Sequence, residues 1–153
     1  MPLSTQVTAV FSDSLTRKLA ILYPGMRLGT AVDFGCGVAR LSIPLTRRFQ
    51  KVIGVDISPA MLNKSRKNCS FFGISNAEFV LFDDSISRVP FGVQLVHSFI
   101  VFQHISVKRG LVIARNLVDR LAPGGACALH VPIDRDPQLP TPLDMRILYV
   151  SNG

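Results

Sequence analysis

Apolar side chains near the start of the chain fall at Val7, Val10, Phe11, Leu15, Leu19 and Leu22, three or four residues apart, and Pro24-Gly25 ends the run. That spacing predicts a leading helix over about 7–22. The pattern then changes: Thr30-Ala31-Val32-Asp33-Phe34 is a short β-prone run closed by glycines, after which Leu41, Leu45 and Phe49 return to helical spacing over 39–49. Pro44 falls early in that helix, where a missing N–H costs least. The plan repeats. Lys51-Val52-Ile53-Gly54-Val55-Asp56 reads as a buried strand, Ser58 as the N-cap of a helix with Pro59 at its first position, and Gly73 as its stop after about Phe72. Residues 78–82 and 93–100 predict a third and a fourth strand, 106–121 a helix closed by Pro123-Gly124-Gly125, and 126–131 a fifth strand. The stretch from Asp83 to Phe91 is too short for a crossover helix and predicts a loop or single turn.

The strands are apolar without strict alternation, which suits parallel strands covered on both faces. Alternating strands and helices connect by right-handed crossovers, so the expectation is a doubly wound, Rossmann-like α/β sheet of parallel strands in the order 3-2-1-4-5. A chain of 153 residues is long enough to bury one core without staples. Residues 1–132 are expected to form that domain. Beyond them Pro137, Pro140 and Pro142 follow Pro132 closely, which predicts an extended tail over 133–153 with room for one terminal strand at 146–150.

Charge and cysteine content narrow the function classes. The net charge of +7 and sequence pI near 9.9 raise the question of a nucleic-acid partner. The cations are spread over three predicted helices (Arg40, Arg47 and Arg48; Lys64, Arg66 and Lys67; Lys108, Arg109, Arg115 and Arg120) with no interleaved aromatics. Solvated helix faces are the better reading, and RNA stays a minority substrate. Cys36, Cys69 and Cys127 are far apart with no C-x-x-C pair, which predicts buried thiols in a reducing compartment, no disulfide framework and no metal site. The first 27 residues lack the layout of a secretory signal, and no segment is a continuous apolar run of bilayer length. A cytoplasmic address is expected.

The strongest chemical signal is Asp33-Phe34-Gly35-Cys36-Gly37-Val38-Ala39-Arg40, where a strand turns into a helix. Glycines at 35 and 37 allow a tight turn and close approach to a ligand, and the free N–H groups of a helix start favour a carboxylate or phosphate. A dinucleotide fingerprint needs a small residue at position 40 and finds Arg40, and the glycine-to-lysine run of a P-loop is absent. Asp56 ends the second strand about twenty residues on, where a carboxylate can accept both hydroxyl hydrogens of a ribose.

The segment resembles motif I of the class I S-adenosylmethionine-dependent methyltransferases, acidic-x-Gly-x-Gly-x-Gly or Ala. The likeness runs from Leu28 to about Val131 and includes the Leu121-Ala122-Pro123-Gly124-Gly125 turn. It implies S-adenosyl-L-methionine as cofactor, with its methionine end beside Asp33, Gly35 and Gly37, its ribose on Asp56, and adenine against Ile57 and Met61. Plain core packing is an equal reading for Met61. The resemblance carries the exocyclic amine of adenine to Asp83, or to Asp84 if the register shifts by one, a solvated turn being the alternative. It places Ser98 on the methionine side. His104, in the segment Phe102-Gln103-His104-Ile105, is the candidate general base, against a bland role capping the next helix or binding a backbone carbonyl. His97 is expected to point into strand packing, and His130 is unassigned.

Family members continue past the fifth strand through a helix and an antiparallel pair, strands 6 and 7, which are missing or incomplete here. A short or truncated member is implied. No Asn-Pro-Pro-Tyr or Asp-Pro-Pro-Tyr follows the fourth strand and no Pro-Cys nucleophile is present, so by elimination the acceptor is an oxygen or nitrogen of a small molecule. Two other classes stay open, an NAD-type oxidoreductase and a domain that holds cofactor without turnover.

Overall fold

A computed structural model describes residues 28–131, together with Arg17, which is helical. The remainder of the expected helix over 7–22 and the expected tail over 133–153 lie outside the described residues. Five parallel strands form one sheet: β1 (Thr30–Phe34), β2 (Lys51–Asp56), β3 (Ala77–Leu81), β4 (Val93–Ser98) and β5 (Leu121–Leu129). Their order is β3-β2-β1-β4-β5, as the alternation of elements predicts. Three α-helices connect them: α1 (Ser42–Leu45), α2 (Pro59–Phe71) and α3 (Val107–Val118). A 3-10 turn, Phe102–His104, precedes α3, and only turns join β3 to β4.

Each central strand contributes to two cores because successive side chains point to opposite faces. Val32, Phe34, Ile53, Val55, Val96 and Leu129 pack with Ile113 and Leu117 of α3 on one face. On the other face Ala31, Val52, Leu95, Ala126 and Ala128 pack with Leu45 and Phe49, while Leu62 and Cys69 of α2 pack with Cys36, Ala39 and Phe79. All three cysteines are buried and free. Burial pushes each thiol up, that of Cys127 to about 12, so they act as small apolar groups.

Two elements differ from the sequence expectation for identifiable reasons. The helix expected over 39–49 is a single α-turn, because Ala39 stands in the left-handed region at φ 68° and the chain cannot begin a right-handed helix there. Turns before and after α1 carry the chain onward to Phe49. Pro123-Gly124-Gly125 belongs to β5 itself: Val93 pairs with Leu121 and Leu95 with Ala126, so the intervening residues bulge out of the strand.

α2 begins as the sequence directs. Pro59 opens it, and the Ser58 hydroxyl accepts from the Met61 N–H at 3.3 Å. Ser58→Ala is expected to destabilise the fold by about 1 kcal/mol, read from urea unfolding, and an unchanged midpoint would show that this long bond contributes nothing.

Candidate cofactor site

The loop between β1 and α1 is fixed from several sides. Gly35 and Cys36 both donate their N–H to Val55 O, at 2.8 and 3.0 Å. The Asp56 carboxylate accepts from the Gly37 N–H at 2.9 Å and from the Ser58 N–H at 2.8 Å, one bond on each oxygen. A carboxylate has about four acceptor positions, so each oxygen retains capacity for a ligand hydroxyl. From α2, the Ser65 hydroxyl donates to Gly37 O at 2.6 Å and Asn68 Nδ2 to Val38 O at 2.9 Å. The Gly37 backbone has φ 54°, and a Cβ built there would meet nothing within 4 Å. The space on that side of Gly37 is open.

A cavity of about 290 Å³ opens beside this loop at the carboxyl ends of the strands. Among the expected site residues it is lined by Gly35, Asp56, Ile57 and His104. Phe82, Ile100, Val101 and Arg109 complete the part that matters below, and these the sequence reading missed. Ile100 has φ 60°, a strained conformation for a β-branched residue of the kind concentrated at ligand sites. Nothing in its sequence context marks it. Ile57, 68% exposed, offers an apolar surface across the mouth.

The other expected residues do not line the cavity. Asp33 is buried on the opposite face of β1 from Phe34, which lines the cavity; its carboxylate accepts from the Ser42 hydroxyl at 2.6 Å and lies 3.3 Å from His97 Nδ1. His97 therefore meets the carboxyl group of Asp33 inside the strand packing expected for it. Met61 is exposed on α2. The Asp83 carboxylate accepts from the hydroxyls of Ser85 and Ser87 and from the Ser87 N–H, and these bonds hold its pKa down to about 2. It is thus anionic and turned into its own loop. Asp84 pairs with Arg109 at 2.6 Å, and the Arg109 guanidinium lies 5.9 Å from the centre of the Phe82 ring. Ser98 is fully buried, with no hydrogen-bond partner for its hydroxyl among the described residues.

His104 closes the 3-10 turn, exposed at the cavity edge, with its Nε2 3.1 Å from Gln103 Nε2. Among the described residues its ring neither caps α3 nor binds a backbone carbonyl; Ser106 is the N-cap of α3. No group of described residues could hold a metal ion, and no helix among them is long and apolar enough to cross a membrane.

Comparison with known proteins gives a consistent family. The model of the methyltransferase domain family matches residues 31–125. The chain is 32% identical over 97 residues to carboxy-S-adenosyl-L-methionine synthase of Sulfurimonas denitrificans, covering 51% of this chain and 41% of that protein. Against trans-aconitate 2-methyltransferase of Sinorhizobium fredii it is 28% identical over 131 residues, 82% of this chain and 48% of the relative. A shorter stretch of 54 residues is 39% identical to a 23S rRNA (uracil(1939)-C(5))-methyltransferase of Marinomonas posidonica, covering 35% and 12%. An S-adenosylmethionine-dependent methyltransferase of Clostridium acetobutylicum shares the fold, with TM-score 0.68 at 17% identity over 82% of this chain and 56% of that one. The chain thus spans about half, or less, of the length of the curated relatives it matches.

Proposed function

Because the chain belongs to the class I S-adenosylmethionine-dependent methyltransferase domain family, we propose that its cavity holds S-adenosyl-L-methionine and that the domain transfers the methyl group to an oxygen or nitrogen of a small-molecule acceptor. The observation that carries the reading is the pairing of Asp56 with Gly37: one carboxylate anchors the glycine loop and keeps acceptor capacity at the cavity wall. The residues fit the group. Asp56 would hold the ribose, and Ile57, Phe82, Ile100 and Val101, which line the same cavity, would supply apolar walls for the adenine. With Asp83 engaged by its own loop, adenine recognition falls to this apolar slot and to the backbone at the end of β3. The open face of Gly37 receives the methionine end, and residues 1–132 act as the cofactor-binding unit.

Bound there, the sulfonium cofactor supplies an activated methyl group and leaves as a neutral thioether. The protein's part is to align the acceptor, exclude water and take up the acceptor's proton. In this reading His104, which lines the cavity with Gln103 Nε2 3.1 Å from its ring, takes the last role. An acceptor of small size is supported by the likeness to the trans-aconitate enzyme over 82% of this chain.

Isothermal titration of the chain with S-adenosylmethionine and, separately, with NADH tests the cofactor. Binding of the first alone is the expected result, and binding of NADH alone would replace the reading by an oxidoreductase. Methyl transfer from labelled cofactor is then compared between small hydroxy and amino acids and total RNA, label in the RNA alone overturning the small-molecule assignment. In the active assay His104→Ala is expected to lower kcat about 100-fold while cofactor affinity changes by less than about twofold. A proportionate loss of cofactor binding would make His104 a wall of the site and no base.

A further inference from the structure

We propose, on the cofactor reading above, that His97 is a positioning residue for the methionine end of the cofactor, acting through Asp33 and the glycine loop without touching the ligand. The two residues are register partners on β1 and β4, so their side chains share one face of the sheet. The row they occupy runs Gly54, Asp33, His97, Ala128, and the row one step below it runs Val52, Ala31, Leu95, Ala126. The lower row is apolar throughout. In the upper row a glycine and an alanine flank the polar pair, and the space over Gly54 is taken by the Phe79 ring and Cys36 Sγ.

Burial makes the pair consequential. His97 is 0% exposed and Asp33 2%. A carboxylate removed from water needs hydrogen-bond partners on both oxygens, and Asp33 has the Ser42 hydroxyl on one and His97 Nδ1, 3.3 Å away, beside the other, a pairing that the Nδ1–H tautomer of His97 makes a hydrogen bond. Ser42 starts α1 and Asp33 lies in β1, so their bond closes the chain around residues 34–41 like a clasp. That segment contains Gly35 and Gly37. The clasp is separate from the ties made by Asp56, Ser65 and Asn68, which hold the loop from the side of β2 and α2. Asp33 does not line the cavity. Its influence on a ligand therefore passes through the loop backbone, and His97 fixes the direction in which the carboxylate points.

The ends of the cofactor separate this role from general stability. S-adenosylhomocysteine and 5′-methylthioadenosine are both thioethers of adenosine and differ in the amino-acid end. His97→Leu is expected to weaken S-adenosylhomocysteine about tenfold while 5′-methylthioadenosine shifts by less than about twofold, because only the first ligand reads the geometry of the loop. His97→Asn can donate from near the Nδ1 position and is expected to restore most of the loss. Ser42→Ala, a smaller deletion that keeps the fold, is expected to give the same selective weakening. Equal loss for both ligands in the Leu and Ala variants would reduce the pair to a stability element and overturn the proposal, as would no loss for either. If the unmodified chain binds neither thioether, the cofactor reading itself fails and this inference fails with it.

Discussion

Asp56→Ala is expected to weaken S-adenosylmethionine binding by about 1–3 kcal/mol, roughly 5- to 150-fold, the value of hydrogen bonds from ligand hydroxyls to a charged acceptor. Two effects add in this variant. The ribose loses its acceptor, and the Gly37 and Ser58 N–H groups lose the carboxylate that orients them. Asp56→Asn separates the two, since its single carbonyl oxygen can accept from one N–H and one hydroxyl but cannot replace both carboxylate oxygens. Calorimetry with both variants should place Asn between the native residue and Ala. An affinity within about twofold of native for Asp56→Ala would remove the residue from the site, because no other acid among the described residues lines the cavity to take its place.

The parts of this site readable in the sequence are those set by local backbone chemistry. The bounds of β2 follow from an apolar run between a lysine and an aspartate, and the start of α2 from Ser58 and Pro59, because caps and proline act within one turn. The glycine loop and Asp56 were readable for the same reason: strand, turn and strand-end acid are consecutive. What escaped depends on which side chains meet across the sheet. The spacing that predicted a helix over 39–49 carries no information on the left-handed φ of Ala39, which the loop geometry imposes and which leaves only Ser42–Leu45 as α-helix.

The same limit applies to the acids. Asp83 and Asp84 were distinguishable in sequence only by register, yet the first turns onto Ser85 and Ser87 and the second onto Arg109 from α3. Two more side chains reach this loop at backbone carbonyls: Asn116 Nδ2 of α3 donates to Asp84 O and Arg120 Nη2, just past the end of α3, to Ser85 O, both at 3.2 Å. The loop is therefore shaped by a helix more than twenty residues downstream. His97 is the clearest signal passed over. A histidine in a buried central strand needs a buried partner, and the acid of the neighbouring strand was already identified by its motif.

Gly35→Ala is expected to be the most damaging single methyl group in the loop, destabilising the fold by about 2–4 kcal/mol and removing cofactor binding with it. Gly35 sits at φ 75°, where a side chain is strained whatever the space, and the Cβ would lie 2.1 Å from Cγ2 of Val101. The conformational part alone costs about 1–2 kcal/mol. Ala39 and Ile100 in the same region show that the fold carries strain of that kind. Contact with Val101 adds the rest, because a β-branched side chain has few rotamers to which it can retreat and Val101 packs against the core beneath the cavity. A double-mutant cycle with Val101→Ala isolates that contact: the pair should be less destabilised than the sum of the single changes by at least about 1 kcal/mol. Strict additivity in chemical denaturation would mean that Val101 moves aside freely and that the requirement for glycine at 35 is conformational alone. A favourable coupling would instead show that the first glycine of the motif is set by the wall of the cavity, so that loop and pocket have to be changed together.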